Sequence, residues 1–105
     1  MLDLSLIKVK YCDIKLPNGD ILNLLKCTQS MLGSVLEMSQ KIQGDINNIE
    51  KLDEFYKLTT RVINRNKENK PYKQKQIEEL LSIDVAMYLV EHYIKWTMEI
   101  LNDPN

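Results

Sequence analysis

One hundred and five residues at a formal charge of −1 predict one domain, residues 1–105, with no overall field strong enough to steer it to nucleic acid or an anionic membrane. An apolar share of 44% excludes wholesale disorder, and a chain of this size buries about two-thirds of its extended surface without metal or disulfide staples. The uninterrupted apolar runs fall far short of the roughly 20 residues that a membrane helix needs.

The opening Met1-Leu2-Asp3-Leu4-Ser5-Leu6 carries an acid and no basic leader, so it does not read as a signal peptide and a cytoplasmic location is expected. Ile7 to Leu16 alternates as a strand. Ile7, Val9 and Tyr11 point one way and Lys8 and Lys10 the other; the phase then changes to Cys12, Ile14 and Leu16. That change predicts a bulge or strong twist near Tyr11–Cys12, or an arm over Met1–Lys10 that packs elsewhere.

Pro17-Asn18-Gly19-Asp20 is a turn, because Asn and Gly accept positive φ cheaply. A three-residue loop of Asn18, Gly19 and Asp20 predicts the pairs Leu16 with Leu22, Lys15 with Asn23 and Ile14 with Leu24, in a hairpin ending near Leu25. Cys12 and Cys27 then lie on opposite faces and cannot bridge, and both read as small hydrophobes. A lone hairpin is marginal in water, so a helix must cover its Ile14, Leu16, Leu22 and Leu24 face.

Thr28 is placed to cap a first helix in which Met31, Leu32, Val35, Leu36 and Ile42 recur at helical spacing. Gly33 costs that helix about 1 kcal/mol relative to Ala, which predicts a close crossing over the hairpin there. Gly44 reads as the C-cap. Asp45, Asn47 and Asn48 restart a helix with the stripe Ile46, Ile49, Leu52, Phe55, Tyr56, Thr59, Val62 and Ile63, ending near Asn66. Its acids cluster early and Arg61 and Arg65 late, which suits the helix dipole. Lys67 to Lys75, with Pro71, predicts an exposed connector. Gln74–Leu81 is a short helix, Ser82 a cap, and Ile83–Leu101 the last helix. The fold class predicted is α+β: an N-terminal antiparallel hairpin (7–25) packed on three to four helices (28–102).

No chemistry assembles from these residues. His92 is the single histidine, and no local motif sets Cys12 or a serine beside it as a nucleophile and base would require. Glu78 and Glu79 are adjacent on a helix and splay apart. Three dispersed glycines make no phosphate loop, and zinc wants four ligands at short spacings. Neither an enzyme nor a cofactor or metal is expected. Arg61, Arg65, Lys67, Lys70, Lys73 and Lys75 around Tyr72 form a basic segment, opposed by Glu68. It reads mainly as a solvated linker, and otherwise as a dock for an acidic surface or for nucleic acid.

The last helix is apolar over more than half its circumference. Val85, Leu89 and Trp96 lie on one side, and Ala86, Val90, Tyr93, Ile94, Thr97 and Leu101 on another. Tyr88, His92 and Trp96 form a four-spaced row. A surface helix needs one apolar stripe. Either this helix is central to the core, or it offers a second face to another chain through Val85, Tyr88, Leu89, His92 and Trp96.

The stretch Ile7 to Leu24 with its Leu16-Pro17-Asn18-Gly19-Asp20 turn, and the later Ile77-Glu78-Glu79-Leu80-Leu81-Ser82-Ile83-Asp84, resemble small tail assembly chaperones of tailed bacteriophages. The resemblance implies a non-enzymatic protein of the host cytoplasm. It would bind the tape-measure protein and tail-tube subunits during assembly and be absent from the finished particle, and the wide apolar surface of Ile83–Leu101 fits self-association into a homo-oligomer as well. The rivals are a nucleic-acid-binding regulator using residues 61–75 and a small tail or head completion protein.

Overall fold

The computed structural model describes residues 1–3, 10–42 and 49–102. Six elements follow in order: β1 (Cys12–Lys15), β2 (Ile21–Leu24), α1 (Gln29–Ile42), α2 (Ile49–Ile63), α3 (Gln74–Leu80) and α4 (Ile83–Asn102). The architecture is α+β, a two-stranded antiparallel hairpin followed by four helices. The expected strand over Ile7–Val9, the Gly44 cap and the restart at Asp45–Asn48 lie outside the described residues. The ladder begins at Cys12, so the change of alternation falls at its first residue and not at a bulge within it.

The hairpin register differs from expectation by two residues. Cys12 pairs with Leu24, Asp13 with Asn23, Ile14 with Leu22, and Lys15 with Ile21. The loop is Pro17-Asn18-Gly19. The Gly19 N–H donates to the Leu16 carbonyl at 2.9 Å, and the Leu16 N–H donates to the Asp20 carbonyl at 2.8 Å. Gly19 is the left-handed residue, at φ 95°, and a three-residue loop wants that conformation in its third position. The expected loop had put Gly19 second. Asn18 tightens the turn, its Oδ1 accepting from the Asp20 N–H at 3.0 Å. An even shift leaves each side chain on its intended face. Cys12, Leu16, Leu22 and Leu24 are therefore buried, while Asp13, Lys15 and Ile21 face solvent.

Thr28 caps α1, its hydroxyl accepting from the Met31 N–H at 3.2 Å. Gly33 does not mark a close crossing. A Cβ there would meet nothing within 4 Å, because the glycine lies on the exposed side while Met31 and Val35 point into the core. α2 is the hub and packs against α1, α3, α4 and β2. Its second half is buried nearly all round at Phe55, Leu58, Thr59, Thr60, Val62 and Ile63. The two threonine hydroxyls are satisfied by donating back to the carbonyls of Phe55 and Tyr56. The same hydrophobic cluster takes in Leu22 and Leu24 of the hairpin, Val35 of α1, Ile77 of α3, and Ala86, Val90 and Tyr93 of α4.

Candidate functional site

The two edges of the hairpin end differently. The Leu16–Asp20 bond defines a hydrogen-bonded pair, and such pairs recur at every second residue of an antiparallel ladder. Ile14 and Cys12 therefore turn their backbone groups toward β2. Asn23 and Leu25 turn theirs to the far side of β2, and Asp13 and Lys15 turn theirs to the far side of β1.

On the β2 side the connector closes the edge. Asn66 bridges Leu24. The Leu25 N–H donates to the Arg65 carbonyl at 2.7 Å, and the Lys67 N–H donates to the Asn23 carbonyl at 2.8 Å. The Glu68 carboxylate accepts from the Asn23 backbone at 2.9 Å and from its side-chain amide at 2.7 Å. These bonds hold the Glu68 carboxyl below its usual range. Buried Asn66 shapes the connector through its own side chain: Nδ2 donates to the carbonyls of Ile63 and Lys70, and Oδ1 accepts from the Lys70 N–H at 2.7 Å.

The connector is largely exposed, as its composition suggests, but it is tied to the hairpin as well. Arg65 donates twice to the Lys26 carbonyl, and Lys67 stands 5.0 Å from the centre of the Tyr11 ring. Tyr72 donates to the Asp20 carboxylate at 2.7 Å, and Lys70 stands 3.9 Å from the same group. Burial, and then that carboxylate, push the Tyr72 hydroxyl up to about 12; the Tyr72 bond leads the causes that lower Asp20. Three cations of the basic segment are therefore engaged within the fold, and its aromatic ring is tied to the turn.

On the β1 side a groove of about 350 Å³ lies between the strand and α4. Asp13, Ile14, Lys15, Leu16 and Pro17 line it from the hairpin. Leu81 and one face of α4, Val85, Tyr88, Leu89 and His92, line it from the bundle. Four of the five residues singled out on the last helix thus meet at this groove, and Trp96 does not line it. Exposure separates the set further. Tyr88 is 74% exposed and Val85 45%, and His92 is also exposed. Leu89 belongs to the core, and half-buried Trp96 stacks on Tyr93 with ring centres 5.9 Å apart. The helix is wide enough to serve its own core with one face, Ala86, Val90, Tyr93 and Thr97, and to leave Val85, Tyr88 and His92 outside it.

Both cysteines are free thiols. Burial and the nearby Asp13 carboxylate push the Cys12 thiol up to about 11, which disfavours its nucleophilic form. Cys27 lies 3.7 Å from the Thr97 hydroxyl. Among the described residues no group of three or more His, Cys, Asp or Glu side chains is placed to hold a metal ion, and no helix is long and apolar enough to cross a membrane. Sequence reasoning missed the hairpin half of the groove. Ile14, Leu16 and Pro17 read as strand and turn, and nothing local says that α4 stands across from them. No family model, curated protein or solved structure matches the chain.

Proposed function

We propose that this chain is a non-enzymatic assembly module that holds other proteins, acting as a tail assembly chaperone of a tailed bacteriophage in the host cytoplasm. The tape-measure protein and tail-tube subunits would be its clients. The observation that supports this reading most is the apolar groove between β1 and α4, with Tyr88 standing 74% exposed at its wall. An elongated amphipathic client offers anchors at helical spacing, and a shallow apolar groove with an adaptable aromatic wall suits them. Copies bound along a long client add weak contacts by multivalency, so no single groove need bind tightly.

Titrating a tape-measure segment from the same genome against the chain and against Tyr88→Ala tests this. The expected result is saturable binding that the substitution weakens about tenfold, in keeping with an aromatic anchor, while the far-ultraviolet spectrum is unchanged. Absence of binding by the unaltered chain would sink the reading. So would finding the protein in purified particles, where a completion protein belongs and a chaperone does not.

A further inference from the structure

We propose that the edge of β1 that no described residue pairs joins antiparallel to the β1 edge of a second copy of this chain, about a two-fold axis through Ile14. The inference does not depend on the client named above. An unpaired strand edge is a template for another strand, and proteins that leave one open usually blunt it with charge. Here the charges are arranged to choose a partner. Asp13 and Lys15 are the two residues whose backbone groups point off the edge, and both side chains are exposed. Among the described residues neither makes an ion pair.

Outward-pointing residues must face each other for the new ladder to form. Three self-pairings meet that condition near the centre of β1. An axis at Asp13 sets two aspartates opposite each other. An axis at Lys15 sets two lysines opposite each other and brings in Pro17, which has no N–H to give. The axis at Ile14 sets Asp13 against Lys15 of the other copy twice over. Opposite charges across a ladder attract and like charges repel, so this register alone is favourable at both positions. It also places half-buried Ile14 beside its own copy on the apolar face, covering the part that the groove leaves open. A two-fold axis perpendicular to the sheet keeps both apolar faces on one side. The two grooves then merge into one trough, floored by Ile14 and Leu16 of both copies and walled by Val85, Tyr88 and His92 on each α4.

Sedimentation equilibrium on the full chain tests the pairing. The chain should dimerise. Asp13→Lys and Lys15→Asp should each raise the dissociation constant about tenfold, since each turns both cross-strand pairs into like charges. The double variant should recover, and so should an equimolar mixture of the two single variants, whose edges complement each other. That rescue separates pairing from misfolding. Ile14→Cys should cross-link the dimer under oxidation, because residues facing each other at a non-hydrogen-bonded site lie within disulfide reach. A chain that stays monomeric at the highest attainable concentration overturns the proposal and leaves the edge to a foreign strand. Dimers indifferent to both charge reversals, or reversals that weaken the dimer without rescuing one another, also overturn it.

Discussion

The two edges of the hairpin carry the same kind of backbone groups and meet opposite fates. At β2 the connector supplies a bridging asparagine, two backbone bonds and a bidentate carboxylate. At β1 the described residues supply an apolar groove and two exposed, oppositely charged side chains. A sealed edge gives up its capacity to bind in exchange for rigidity, and an open one keeps it. The difference arises because the chain after α2 folds back beside β2, so the most polar stretch of the sequence is spent on structure, and among the described residues no backbone closes the other side of the hairpin.

Breaking the sealed edge should have the largest effect. Asn66→Ala removes a buried amide that serves three backbone groups, and should cost about 3 kcal/mol in urea unfolding, since orphaned buried groups pay their full desolvation penalty. Tyr72→Phe removes one bond to Asp20 at a half-exposed site and should cost about 1 kcal/mol or less in the same measurement.

Glu68→Gln should lower stability modestly at neutral pH, where the ionised carboxylate accepts from Asn23, and the difference from the unaltered chain should fade on the acid limb. The folded carboxyl of Glu68 lies below its unfolded value of about 4.3. Its contribution is therefore present above that value and is lost as pH falls through the folded one. The variant should flatten this part of the stability profile between about pH 5 and 3, roughly one unit either side of the unfolded value. Acid unfolding followed by circular dichroism reads the slope, and an unchanged slope would remove Glu68 from the clamp.

The open side should be nearly silent by comparison. Tyr88→Ala, at a residue 74% exposed, should shift folding stability by no more than about 0.5 kcal/mol. A loss several times larger would mean that Tyr88 supports the core, and the contrast between the edges would fail there.

Much of the molecule was written in local pattern. The helical spacing of Met31 and Val35, the stripe of α2 from Phe55 onward and the broad apolar girth of α4 follow from each residue's immediate neighbours, and their burial agrees, whereas Ile49, expected on the same stripe, is 81% exposed at the first residue of α2. Face assignment in the hairpin survived a register shift because parity, the property that decides burial, is unaffected by a move of two residues. The shift itself came from one glycine: which loop position Gly19 takes depends on closure of the whole turn, and composition does not state it.

The sequence by itself determined the described elements and most of their apolar faces, because periodicity and turn chemistry act over a few residues. Only the tertiary structure decided what the polar connector does, since Glu68 reaches Asn23 across 45 residues of chain. Only it placed Ile14 and Leu16 across from Val85 and Tyr88. Those relations rest on long-range hydrogen bonds and on the space left between packed elements, and no local pattern of residue types encodes a space.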